Sequence, residues 1–127
     1  DLSAVIYPGE AHRIVQNLVI NAIQACTWGL GKVTVRLTQV SHSEHLHKAA
    51  VRIIVSDNGA GMDRHTLERM RDYGFTTKPN GSGLGFYTVD LLVSRRHGSL
   101  VVDSQLGKGT SITIDLPKSE MEHARSA

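Results

Sequence analysis

Three groups of residues in this sequence have types and spacings that could do chemistry. Arg13, Asn17, Asn21 and Gln24 follow one another at intervals of four, four and three, which puts them in a line on one side of a helix. Such a line fits a solvated helix face. It also fits a cation site, because asparagine is a poor interior helix residue and an amide oxygen suits a hard ion such as magnesium. The second group is Asp57-Asn58-Gly59-Ala60-Gly61-Met62, directly after an apolar run. Asn-Gly is a favoured turn dipeptide, so a tight turn is one reading. The other reading uses every part. Asp57 can accept a hydrogen bond from an exocyclic amine, Gly59 and Gly61 let backbone approach a flat ring, and Met62 can pack on its face. The third group, Gly81-Ser82-Gly83-Leu84-Gly85, stands before a helical pattern. Glycines there expose N–H groups that favour an anion, and they also fit simple flexibility. Lys78, just upstream, could bring a point charge to a phosphate or be a solvated loop lysine. The spacing is that of neither a Walker loop nor, without a preceding strand, a Rossmann fingerprint.

Other candidates are weaker. His42, His45 and His47 lie close together, but no carboxylate or cysteine set converges on them. Cys26 is the single cysteine, so no internal disulfide can form and a cysteine-based zinc site is not expected. Its helical position faces the apolar side, which predicts a core residue.

The elements that must position these groups follow from periodicity. Glu10 to Trp28 reads as a helix with Ile14, Val15, Leu18, Val19, Ala22, Ile23, Ala25 and Cys26 on its apolar side, ended by Gly29 and Gly31. Lys32 to Val40 and Ala49 to Ser56 read as strands joined by the polar loop Ser41 to Lys48. Ala4 to Tyr7 reads as a short edge strand. Asp63 is a fitting N-cap for a helix over Arg64 to Asp72. Tyr73 to Gly83 lacks periodicity and has few apolar anchors. Gly85 to Arg96 reads as a helix, and Leu100 to Ser104 and Thr110 to Leu116 as strands about a turn at Gly107-Gly109. Strand pairs without an intervening helix argue against a doubly wound parallel sheet. The expected fold is an α/β (α+β) two-layer sandwich, with a mixed, mostly antiparallel sheet of about five strands and three helices on one face.

Composition narrows the functions. At roughly 150 residues per domain, 127 residues make one domain, here expected over 1–118 with a tail over 119–127. The net charge of +2 and the 5% aromatic content are unlike a basic nucleic-acid arm or a stacking platform for single strands, so no nucleic-acid partner is expected. No apolar run approaches the roughly 20 residues of a membrane span, and no signal-like segment opens the sequence. A cytoplasmic domain without membrane contact is expected, whatever anchors a parent protein.

Taken in order, the groups resemble the catalytic ATP-binding domain of sensor histidine kinases. These belong to the superfamily that also holds DNA gyrase, the heat-shock chaperone ATPases and MutL and shares the Bergerat fold. The N box resembles Asn17-Leu18-Val19-Ile20-Asn21-Ala22 and the G1 box Asp57-Asn58-Gly59-Ala60-Gly61-Met62. The F box is similar to Phe75-Thr76-Thr77-Lys78, the G2 box to Gly81-Ser82-Gly83-Leu84-Gly85, and the closing strand to Gly107-Lys108-Gly109-Thr110. The Phe-Thr-Thr-Lys form is nearest to nitrogen-regulator-type kinases. Tyr73-Gly74 stands where kinases often show a Glu-Pro pair, and Phe86-Tyr87 where an aliphatic residue is commoner.

The resemblance implies ATP and Mg2+ as cofactors, and roles by position. Asn21 would bind the metal, with Asn17 as ligand or orienter. Asp57 would bind the adenine amine, helped by Thr110 through water. Gly59, Gly61 and Met62 would lie along the ring. Thr76, Thr77 and Lys78 would belong to a mobile lid. Gly81, Ser82, Gly83, Leu84 and Gly85 would hinge that lid and face the phosphates. The implied activity is γ-phosphoryl transfer to a histidine on a separate dimerisation domain of the parent kinase, with a response regulator downstream. None of the seven histidines lies in a phosphoacceptor pattern. His12 comes nearest, but it opens the N-box helix itself, so the acceptor is expected on another segment or chain. The rivals are an ATP-hydrolysing or protein-serine-kinase member of the superfamily, and a nucleotide-binding module without transfer.

Overall fold

A computed structural model describes residues 6–26, 29–77 and 84–118. The elements are α1 (Pro8–Ala25), β1 (Val33–Val40), β2 (Ala50–Asp57), α2 (Arg64–Arg69), α3 (Gly85–Arg95), β3 (Ser99–Gln105) and β4 (Gly109–Pro117). Four strands form one sheet in the order β1-β2-β4-β3, with every neighbouring pair antiparallel. The expected mixed sheet of about five strands is thus four antiparallel strands among the described residues. In the expected edge strand, Ala4 and Val5 lie outside those residues. Ile6 and Tyr7 are not in a strand; Tyr7 is instead the N-cap of α1, where Pro8 fixes the first helical φ.

Strand alternation sorts each strand into a helix-facing and an outer side. Ile53 and Val55 of β2, Leu100 of β3, and Ile112, Ile114 and Leu116 of β4 make the inner side. Ile14, Leu18 and Ala22 of α1 cover it at successive i, i+4 positions, beside Phe86, Val89, Leu92 and Val93 of α3. Met70, just after α2, packs on the same core. The two long helices are also tied at their ends. The guanidinium of Arg96 donates to both oxygens of Glu10 at 2.9 and 3.1 Å and lies 4.8 Å from the Tyr7 ring centre. On β1, Val33 packs against this core, while Val35 and Leu37 have the inner parity yet stay about half exposed on the edge strand.

The outer side holds a buried ion pair that periodicity does not reveal. Asp115 is 1% exposed and accepts from Arg52 Nε at 2.7 Å, Arg52 Nη2 at 2.8 Å and the Ser43 hydroxyl at 2.6 Å. The 41–49 hairpin loop folds back over this point. There the Ser43 oxygen accepts from the His45 and Leu46 N–H groups, and Glu44 accepts at 3.1 Å from the same Arg52 Nη2 that bonds Asp115. Burial alone would raise the Asp115 carboxyl, but Arg52 and Ser43 outweigh it and hold it below the usual carboxylate range. A depressed folded pKa means that this stability is present above the unfolded pKa and is lost as pH falls toward the folded one. Arg52→Ala leaves a buried carboxylate without its cation and is expected to cost about 3 kcal/mol at pH 7. In urea denaturation across pH 3–7, the gap between wild type and variant should narrow towards acid. A gap independent of pH would show that the pair does not carry this stability.

Candidate functional site

The site forms where the inner side of the sheet runs past its apolar core. Asp57 closes β2 one inner position beyond Val55, and its cross-strand partner is Thr110 of β4. Thr110 in turn pairs with Ser104 of β3, so Asp57, Thr110 and Ser104 form one row across three strands. Directly opposed residues share a face with Cβ atoms about 5 Å apart. Asp57 Oδ1 accepts from the Gly59 N–H at 2.8 Å, which closes the turn. Its second oxygen takes no hydrogen bond from the described residues.

The loop after Asp57 is fastened on both sides. Asn58 Oδ1 accepts from the Lys32 N–H at 2.8 Å and lies 3.6 Å from Cys26 Sγ. The Ala60 N–H donates to the Ala25 carbonyl at the end of α1, and the Ala60 carbonyl accepts from the Gly107 N–H of the β3–β4 turn. Met62 is held through its backbone N–H, which donates to Ser104 Oγ at 2.8 Å. Here the structure changes the reading of the glycines. A Cβ at Gly59 would strike the Ala25 carbonyl, and one at Gly61 (φ +72°) would strike the Gln105 carbonyl. Both glycines are therefore demanded by the chain's own packing, before any ring is considered. Cys26 is also corrected: it is the half-buried residue after α1, turned towards Asn58, and not a core side chain.

Asn17 and Asn21 both lie half-buried on α1. The Asn17 amide donates through Nδ2 to the Gly85 carbonyl at 3.4 Å, which ties the N-box helix to the first residue of α3. That donation leaves Asn17 Oδ1 as its acceptor atom. Asn21 and Gln24 each make a contact of their own. No group of three or more histidine, cysteine, aspartate or glutamate residues among the described residues could hold a metal ion, the 42–47 histidines included.

Of the expected lid, Thr76, Thr77, Leu84 and Gly85 are described; Lys78, Gly81, Ser82 and Gly83 lie outside the described residues. The segment leading into it is better anchored than its composition suggests. Tyr73 meets Tyr87 of α3 edge to face at 5.0 Å, so the two departures from the kinase pattern touch each other. Phe75 packs back on α2, with its ring centre 6.4 Å from that of His65 and 5.2 Å from the Arg69 guanidinium carbon. Arg71 donates to the Leu100 carbonyl at 2.7 Å. Helix α2 ends at Arg69, short of the expected Asp72, and Asp63 caps it through the Thr66 N–H at 2.8 Å.

Comparison with known proteins gives the family and the fold. Residues 7–120 match the family described as histidine kinase-, DNA gyrase B-, and HSP90-like ATPase. The chain belongs to this ATPase family. Among its relatives, Sporulation kinase B of Bacillus subtilis (strain 168) is 30% identical over 112 residues, which span 86% of this chain and 24% of that protein. Sensor histidine kinase RppB of Synechocystis sp. is 36% identical over 134 residues, spanning 92% of this chain and 27% of that protein. The chain thus spans about a quarter of the length of these two relatives. Among solved structures, a mycobacterial sensor histidine kinase, MprB, superposes with a TM-score of 0.71 at 30% identity, over 86% of this chain and 70% of that one. The catalytic domain of histidine kinase ThkA, at 23% identity and a TM-score of 0.73, shares the fold.

Within this ATPase family domain, Ser104 is the site residue that periodicity does not single out. Its polar side chain at an inner-facing strand position, beside the glycine turn, is the signal that marks it.

Proposed function

We propose that this domain binds Mg-ATP and transfers the γ-phosphoryl group to a histidine on a separate dimerisation domain of a parent sensor kinase. That histidine would pass the group on to a response regulator. The observation that carries the nucleotide part is the Asp57–Thr110–Ser104 row, with the open Asp57 oxygen at its β2 end. A carboxylate oxygen accepts from the amine that adenine carries, and repels the carbonyl that guanine carries at the same place. Met62, pinned by its backbone, offers a polarisable face for the ring.

Asn21 and Asn17 fit magnesium as amide-oxygen donors, since this ion is usually held by one or two protein groups plus substrate phosphates. When bound, it supplies charge neutralisation along the phosphates. The Asn17 Nδ2 bond to the Gly85 carbonyl joins α1, which carries the two amides, to the start of α3. Thr76, Thr77 and Lys78, with Gly81, Ser82, Gly83 and Leu84 ahead of Gly85, are assigned to the phosphate side by their place in the sequence. The domain would work in the cytoplasm; among the described residues no helix is long and apolar enough to cross a membrane.

Transfer is favoured over hydrolysis by one residue. A water attacking the γ-phosphoryl needs a nearby base; the resemblance implies that the superfamily's hydrolases carry a glutamate one helical turn before the metal asparagine, and this chain has Asn17 there, whose amide cannot take a proton. The purified chain should therefore bind an ATP analogue yet release phosphate far below the ~10 s⁻¹ of a median enzyme. Steady-state phosphate release measures this. Turnover near that rate without a histidine-bearing partner would falsify the transferase reading in favour of an ATPase.

A further inference from the structure

Ser104 makes three hydrogen bonds, and their bookkeeping fixes a proton. Its oxygen accepts from the Met62 N–H at 2.8 Å. It lies 3.1 Å from the Gly109 carbonyl, which can only accept, so the single Ser104 proton goes there. The remaining contact, 2.8 Å to Thr110 Oγ1, must then use the proton of Thr110. Thr110 is left with lone pairs alone to present on the shared face, beside the open oxygen of Asp57. We infer that Ser104 is a positioning residue for base selectivity, one that locks the Thr110 hydroxyl as an acceptor so that two acceptors meet the amine of adenine. This rests on the adenine-site reading above and deepens it.

The chemistry is discriminating because guanine carries an oxygen where adenine carries its amine. With the Thr110 proton committed to Ser104, Asp57 and Thr110 both repel that oxygen where they meet it directly. Once Ser104 is removed, the Thr110 hydroxyl can turn and donate, and guanine is no longer opposed at that point. The loss of the Met62 anchor would act on both nucleotides alike, because it concerns the ring face and not its edge.

Calorimetric titration of the purified chain with non-hydrolysable ATP and GTP analogues tests this. Wild type should strongly prefer the ATP analogue. Ser104→Ala should narrow that preference by about tenfold, the scale of one hydrogen bond to a charged or strongly polar group. Ser104→Thr keeps the hydroxyl and should restore the preference. In a Thr110→Val background, Ser104→Ala should change the preference no further. Ser104→Cys keeps the volume but accepts weakly; it should show the narrowing even if the alanine variant does not fold. A loss of affinity shared equally by both analogues, or an unchanged preference in Ser104→Ala and Ser104→Cys, overturns the inference while leaving the ATP site standing. Equal binding of the two analogues by wild type overturns the adenine-site reading itself, and this inference with it.

Discussion

Asp57→Asn should weaken binding of an ATP analogue by about 1.5–3 kcal/mol while leaving the unfolding midpoint close to that of wild type. Asp57 does two things at once. One oxygen closes the turn by accepting from the Gly59 N–H, and the other is open beside Thr110. An asparagine can keep the first bond, because its amide oxygen also accepts. Its NH2 group must then take the open place, and it presents protons to an amine that has protons of its own. Binding of the ATP analogue falls for that reason, and the preference moves toward the GTP analogue. Asp57→Ala should lose affinity too, but it also frees the Gly59 N–H and so lowers stability. Comparing the two variants by titration and thermal unfolding separates reading the base from holding the turn. Wild-type ATP affinity in Asp57→Asn would remove Asp57 from the site.

The parts of this arrangement that sequence discloses are those set by period and punctuation. The long helix, the two strand pairs and the Asp63 cap follow from apolar spacing, glycines and a capping residue, and they appear within a few residues of their expected ends. Contacts between distant segments escape such reasoning. Strand alternation puts Asp115 on the outer side of β4, but nothing local says that the 41–49 loop folds back to bury it against Arg52 and Ser43. Register also escapes it. That Ser104, Thr110 and Asp57 stand in one row depends on how β3, β4 and β2 align, and a slip of one residue would turn each side chain to the other face. Tyr73 and Tyr87 look like two unrelated departures from a pattern until α3 brings them within 5.0 Å of each other.

The glycines give the sharpest separation of what a motif suggests from what packing demands. Gly61 and Gly107 both have positive φ, at +72° and +82°. At Gly107 an added Cβ meets nothing within 4 Å, so Gly107→Ala should cost only the left-handed strain of about 1 kcal/mol. At Gly61 the same methyl would run into the Gln105 carbonyl and approach Leu106, both backbone, so the β3–β4 turn must move. That turn carries the Gly107 N–H bond to the Ala60 carbonyl and borders the Ser104–Thr110 pair. Overpacking adds about 1–3 kcal/mol to the strain, so Gly61→Ala should lose about 2–4 kcal/mol in urea denaturation, even with no nucleotide present. The glycine would be wanted for the protein's own turn-to-turn contact, and nucleotide affinity would fall as a consequence. Equal stability losses in the two variants would mean that only φ matters at Gly61. A Gly61→Ala variant as stable as wild type that still failed to bind an ATP analogue would return this glycine to the role its motif suggests, close approach to the ring.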